Sequence, residues 1–343
     1  MAFRFVPGRA TRRAATGAAR ILRATAKANA AAARRTGALM RQGSETLRTE
    51  EPEHRPLGRL IEVDGVRVHA IVRGRGRPVV LIHGNGTMAE DFVICGLVEQ
   101  LAKSYRVIAI DRPGFGHTER PRHWVWTAQA QARLIGHVLR ELNVERPVVV
   151  GHSWGTIVSL ALAIHESVDL RGLVLLSGYY YPGRRADVAL IAPLAVPGLG
   201  DAARALVPGA VGRAMAPQVF RHVFKPQPVP ARFTARFPVA LSLSATQSRA
   251  SAEDTASMNA AVALMQSRYA ALRLPVAILS GDADAVVDPA EQSCRLHAEV
   301  AGSTLTLLPG QGHMIHYAAK ARIVRAVDAQ MALTGRTLAW RSR

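Results

Sequence analysis

The pentapeptide Gly151-His152-Ser153-Trp154-Gly155 puts a hydroxyl between two glycines, directly after the apolar run 147–150 and at the head of a helix-compatible stretch. A serine on so sharp a strand-to-helix turn is lifted above the sheet, and only glycine-like residues two positions to either side let strand and helix approach that closely. Five residues with three fixed recur by chance in many chains; the strand before and the helix after give the pattern its weight. A serine hydroxyl is a poor nucleophile at its free pKa, so it needs a base, and the base needs an orienting acid. Asp284 stands in Gly281-Asp282-Ala283-Asp284 just past a predicted strand, and His313 in Gly310-Gln311-Gly312-His313 just past the last one. Alone, such a histidine is an ordinary loop residue and such an aspartate a turn or cap residue. Their joint position at the carboxyl ends of strands points to nucleophilic catalysis. A tetrahedral intermediate also needs preorganised donors, each contributing roughly a hundred- to a thousandfold. His83-Gly84-Asn85-Gly86 follows the third predicted strand, and the backbone N–H groups of Asn85 and Trp154 are the expected oxyanion donors. Gly84 and Tyr179 are expected to touch substrate.

These residues have to be held by something, and the surrounding sequence predicts what. Residues 57–63 and 66–72 flank Asp64-Gly65 as a hairpin with a tight turn. The runs 78–82, 106–110, 147–150 and 172–176 are apolar and too short for helices, which suits buried parallel strands. Helix-compatible segments around 91–104, 127–142 and 156–165 lie between them, giving the alternation of a doubly wound α/β sheet. It lapses over 178–273, where Pro, Gly, Ala and Arg mix with helical pieces, and resumes with strands at 274–280 and 303–308 and a closing helix near 318–333. The expected architecture is an eight-stranded, mostly parallel sheet with a helical lid inserted after the sixth strand. The expected division is a basic extension and linker (1–56), core (57–177), lid (178–273) and core (274–343).

Composition limits the remaining choices. The chain has 343 residues, about half of them apolar, enough for one large core with a smaller insertion. No apolar run reaches the roughly 18 residues of a membrane span; the longest, 188–200, is broken by Pro193 and Pro197. Cys95 and Cys294 are the only cysteines, too few for a disulfide framework or a structural zinc site, and are expected to be buried free thiols in a reducing compartment. Of the net charge of +19, residues 1–48 carry +10, from eleven Lys/Arg against Glu45. That Ala- and Arg-rich extension could lie on an anionic membrane surface or dock on an acidic partner, or be a solvated tail. Its apolar face (Ile21, Leu22, Leu39, Met40) is thin. A cytoplasmic protein, at most peripheral to the membrane, is expected, with organellar import left open by the Arg-rich, acid-poor character. No basic-aromatic interleaving suggests nucleic-acid binding.

Residues 57–333 resemble the α/β-hydrolase superfamily, with Asp111-Arg112-Pro113-Gly114-Phe115-Gly116 similar to that superfamily's turn after the fourth strand, a structural element there. The resemblance implies the chain order Ser, Asp, His, with the acid three residues after the glycine that ends the seventh strand, hence Asp284. Asp282 is then a turn cap and Asp288, before Pro289, a helix cap. The alternative acid position, after the sixth strand, reads Ser177-Gly178-Tyr179 and offers no carboxylate before Asp187. Members that cleave haloalkanes or epoxides carry Asp where this chain has Ser153. The implied activity is hydrolysis of a small apolar ester, lactone or amide through an acyl-enzyme, with no metal or organic cofactor. Carbon–carbon bond hydrolases and cofactor-free haloperoxidases share the same triad and remain alternatives, as does a noncatalytic, membrane-tethered binding protein. Tyr179-Tyr180-Tyr181, the run 188–199, Met215, Phe220, Phe224 and Met258 are candidates to wall an acyl pocket, or simply to pack the lid onto the core.

Overall fold

A computed structural model of the chain describes residues 54–166, 168–183 and 209–333, with isolated residues 195, 198, 200 and 201. The basic extension 1–48 and most of the apolar run 188–200 lie outside the described residues. Eight strands form one sheet: β1 (Arg59–Val63), β2 (Val66–Arg73), β3 (Pro78–Ile82), β4 (Arg106–Ile110), β5 (Val148–His152), β6 (Gly172–Leu176), β7 (Val276–Gly281) and β8 (Thr304–Leu308). Their order is β1-β2-β4-β3-β5-β6-β7-β8. β2 runs antiparallel to β1 and β4, and every later pairing is parallel.

The strands read as continuous apolar runs because both faces of the sheet are covered. Alternation along each strand sends Val80, Ile82 and Val149 into one core and Val79, Leu81, Val148 and Val150 into the other. Helices Ala128–Glu141 and Trp154–His165 cover the first face, while Glu90–Ile94, Leu97–Leu101 and Lys320–Ala332 cover the second. The helix expected over 91–104 is two short ones, because Gly96 sits between them at φ 83°. The closing helix runs Lys320–Ala332, as expected, with a separate short helix Ile315–Ala318 before it. Between β6 and β7 the described residues form helices Gly209–Phe224, Ala231–Arg236, Val239–Ser242 and Ala245–Met265, followed by a 3-10 turn.

The topology fixes where chemistry can happen. The chain leaves β3 for β4 on one side and returns to β5 on the other, so a crevice opens at the carboxyl ends of β3 and β5. The His83–Gly86 loop and Ser153 leave the sheet at that crevice. Two expectations need correction. Cys294 is half-buried rather than buried, although both thiols are free. Met215 faces solvent instead of a pocket, since the opposite side of its helix packs inward. No described helix is long and apolar enough to cross a membrane.

Candidate active site

β5 runs directly into the elbow, and Ser153 adopts φ 50° and ψ −121°, a conformation that residues with side chains rarely take. Its neighbours hold it there. The Ser153 N–H donates to the Leu176 carbonyl at 2.9 Å, and the Thr156 hydroxyl donates to the Ser153 carbonyl at 2.7 Å. The flanking glycines are sterically required: a Cβ on Gly155 would collide with the carbonyls of Ile82 and His83, and one on Gly151 would lie 2.5 Å from Ser159 Oγ.

From the ends of the last two strands come the other two groups. His313 Nε2 lies 2.9 Å from Ser153 Oγ, and His313 Nδ1 lies 2.8 Å from Asp284 Oδ2. The second carboxylate oxygen, Asp284 Oδ1, accepts the N–H groups of Val286 and Val287 at 2.8 and 2.9 Å. One oxygen is thus tied to backbone and the other is aimed at the imidazole. An ionised carboxylate only accepts, so Nδ1 carries the proton and the Nε2 lone pair faces the serine hydroxyl. Asp282 and Asp288 are engaged elsewhere: Asp282 accepts the Gly310 N–H at 2.7 Å, and Asp288 accepts the Ala290 N–H at 2.8 Å, with Pro289 behind it.

The loop after β3 is set by a residue that sequence reasoning treated as structural only. Arg112 is fully buried; its Nε donates to the His83 carbonyl at 3.0 Å and its Nη2 to the Gly84 carbonyl at 3.1 Å. In a trans peptide the N–H points opposite to the C=O, so turning the Gly84 carbonyl toward Arg112 turns the Asn85 N–H away from it. Among the described residues, neither that N–H nor the Trp154 N–H donates a backbone hydrogen bond. Gly84 lies against the nucleophile, where an added Cβ would come within 3.1 Å of Ser153 Cβ. The Asn85 side chain faces away from this chemistry: Nδ2 donates to Thr255 Oγ1 at 2.8 Å and ties the loop to helix Ala245–Met265. Tyr179 is buried, with its hydroxyl donating to Asn259 at 2.9 Å.

Three further contacts were out of reach of the sequence. Arg112 Nη1 donates to Asp254, itself fully buried, and Arg120 and Gln131 donate to the same carboxylate at 3.1 and 3.0 Å. The only sequence signal is that Glu253-Asp254 ends a long acid-free stretch. Gln227, from the insertion, holds both sides of the His313 loop: it donates to the Gly310 carbonyl at 2.6 Å and accepts the Gly312 N–H at 2.9 Å. His152 donates Nε2–H to the His313 carbonyl at 3.2 Å. Burial, with His316 and His313 beside it, keeps the His152 pKa well below its ordinary value. Burial and the Arg112 charge push the His83 pKa down to about 3. Both rings are therefore neutral. Among the described residues no group of three His, Cys, Asp or Glu could hold a metal ion. A cavity of about 420 Å³ beside β8, lined by Thr304, Thr306, Arg322 and Arg325, contains none of the residues above.

The sequence model of the alpha/beta hydrolase family matches residues 79–326. Haloalkane dehalogenase 2 of Mycobacterium tuberculosis is 31% identical over 135 residues, 39% of this chain and 46% of that protein. The 2-hydroxymuconate semialdehyde hydrolase of Pseudomonas sp. (strain CF600) is 37% identical over 135 residues, 38% of this chain and 48% of that protein. The chain thus spans about half the length of the curated relatives it matches. Among solved structures, an alpha/beta hydrolase fold protein from Burkholderia ambifaria superposes with a TM-score of 0.68 at 24% identity, covering 79% of this chain and 97% of that one.

Proposed function

The chain belongs to the alpha/beta hydrolase family, and on that premise we propose that it is a serine hydrolase cleaving a small, apolar carboxylic ester or lactone through an acyl-enzyme. The observation that carries this reading is the unbroken hydrogen-bonded line from Asp284 through His313 to Ser153 Oγ. Ser153 Oγ attacks the carbonyl carbon as its proton passes to His313 Nε2. Asp284 stabilises the imidazolium without taking its proton. The N–H groups of Asn85 and Trp154 receive the oxyanion, helped by the partial positive charge at the start of helix Trp154–His165. Collapse expels the alcohol, which takes the proton from Nε2. Water then attacks the acyl-enzyme with His313 again as base, and the carboxylic acid leaves.

Ser153 separates this chain from the chemistry of its dehalogenase relative. Displacing halide from a saturated carbon and hydrolysing the resulting ester calls for a carboxylate nucleophile, whereas an alkoxide paired with imidazole suits acyl carbon. The similarity to a 2-hydroxymuconate semialdehyde hydrolase supports a second reading, in which the same serine attacks a ketone and a carbon–carbon bond breaks. Hydrolysis of a p-nitrophenyl ester series from acetyl to octanoyl, beside a 2-hydroxy-6-oxo-dienoate, separates the two. Ester turnover that is lost in Ser153→Ala at unchanged thermal stability supports the proposal, as does labelling of Ser153 by a fluorophosphonate. Ester turnover that survives in Ser153→Ala overturns it.

A further inference from the structure

Helix Gly209–Phe224 is apolar on two sides, and among the described residues only one of them packs into a core cluster. Its inner side, with Ala216, Phe220 and Phe224, packs toward Phe233 and Phe237 in a cluster that reaches Met88 and Met314. Four-residue spacing generates a second line on the outer side, where Val211, Met215 and Val219 are 43%, 55% and 52% exposed. A helix that only packs on a core carries polar residues there. The stripe lies in a strongly one-signed stretch: from residue 209 to 252 there are six Lys/Arg and no Asp or Glu. Arg221, Lys225, Arg232 and Arg236 are all exposed on that stretch.

We propose that the outer face of helix Gly209–Phe224, with exposed Arg221 on the same helix and exposed Lys225 at its end, docks on an anionic lipid surface. The charge selects the occupant. A second copy of the chain would bring like charges together at the same face, whereas anionic headgroups neutralise them at roughly 1 kcal/mol per Lys or Arg. Shape agrees with charge. A single line of half-exposed side chains offers no groove for a folded partner, but it can enter the headgroup boundary of a deformable bilayer. The helix ends at the turn carrying Lys225 and Gln227, and Gln227 holds the His313 loop, so the helix stops three residues before a contact of the candidate site. The inference does not rest on the identity of the reaction.

The test reads the location of position 215 directly, in the full-length protein, because the basic extension could bind vesicles by itself. In Met215→Cys on a Cys294→Ser background, with Cys95 buried, a polarity-sensitive maleimide fluorophore is attached at position 215. A control carries the same dye at Arg140→Cys, on helix Ala128–Glu141. Vesicles of phosphatidylcholine containing phosphatidylglycerol should shift the emission at 215 to shorter wavelength and leave the control unmoved. Pure phosphatidylcholine should do much less. The pair Arg221→Gln and Lys225→Gln should raise the anionic lipid needed for the half-maximal shift at 215 by about tenfold or more. Co-sedimentation without a shift at 215 would mean that another segment binds, and would overturn the proposal. No binding at low salt would overturn it, as would a shift that grows with protein concentration in the absence of lipid, which marks self-association. A lipid dependence of the 215 shift that is unchanged in the Arg221→Gln and Lys225→Gln pair would do the same.

Discussion

Replacing Asp284 by Asn is the sharpest test of the site, because the structure fixes which way the new amide must face. Asp284 Oδ1 accepts two backbone N–H groups, from Val286 and Val287, while Oδ2 faces His313 Nδ1. In Asp284→Asn the side chain has one acceptor and one donor end. Keeping its carbonyl on the two N–H groups aims its NH2 at Nδ1. Nδ1 must then accept, Nε2 carries the proton, and the base can no longer take the serine proton. The alternative orientation rescues the tautomer but sets the NH2 against two part-buried N–H donors. Each donor left without an acceptor costs about 1–3 kcal/mol, so the rescuing orientation lies at least about 2 kcal/mol higher, a population of a few per cent. The wrong tautomer dominates, which alone lowers turnover about thirtyfold; losing the negative charge that stabilises the imidazolium adds to it, and turnover should fall in all by on the order of ten-thousandfold, the size of that change in an analogous serine triad. Ester turnover by purified Asp284→Asn, beside Asp282→Asn and Asp288→Asn, measures this. The two controls keep an acceptor for Gly310 and for the Ala290 cap, so each should stay within about half a kcal/mol of wild-type stability. An Asp284→Asn enzyme that keeps most of its turnover, with the loss appearing in either control, would refute the assignment of the acid.

Ser153→Gly should raise unfolding stability in urea by about 1 kcal/mol while abolishing turnover, since glycine takes a φ of 50° without strain; a loss of stability would mean the elbow is not strained. Gln227→Ala should lower kcat by roughly tenfold with KM little changed, because misplacing the His313 loop affects the reacting geometry more than substrate binding; an effect confined to KM would contradict a positioning role. Acid should destabilise the fold through His83 and His152, whose folded-state pKa values are depressed while their unfolded ones are ordinary. Above about pH 6.5 both states are neutral and nothing changes; below it the unfolded chain takes up protons that the folded one refuses, so stability should fall by up to about 1.4 kcal/mol per pH unit per histidine. Stability that stays flat or rises between pH 6 and pH 4.5, followed by urea unfolding, would count against two buried neutral rings.

What sequence reading recovers here follows the range of the forces involved. The strands are legible because a buried parallel strand is a local composition, and the strands at 78–82, 106–110 and 172–176 match the observed elements residue for residue. The elbow is legible because close packing of β5 on the following helix demands glycines at fixed offsets. The Asp284 to His313 contact follows from two strand ends lying side by side. Where a single residue decides, the pattern fails: Gly96 interrupts an otherwise helical stretch, and Met215 has the composition of a pocket wall but sits on the outer side of its helix. Gln227 gives no signal, because a glutamine in a Pro-rich turn means nothing until the turn is laid against residues 310–312, more than eighty positions away.

Arg112 shows the same limit from inside the site. The turn after β4 identifies it as structural, and its buried guanidinium is structural in the sense that it bonds backbone. Yet the carbonyls it bonds belong to His83 and Gly84, and holding the second of them orients the peptide whose N–H is Asn85's. That arrangement needs a planar fork able to reach two carbonyls, Gln131 and Asp254 at once, while lying 4.3 Å from the Phe115 ring centre and 4.6 Å from that of Trp154. A lysine, with a single ammonium, cannot span those acceptors. The pair with Asp254 crosses 142 residues to the insertion, so the helix that carries Asp254 also neutralises the charge that shapes the loop. The segment between β6 and β7 is therefore part of how the site is built, through Asp254, which reaches the His83–Gly84 loop by way of Arg112, and Gln227, which holds the His313 loop.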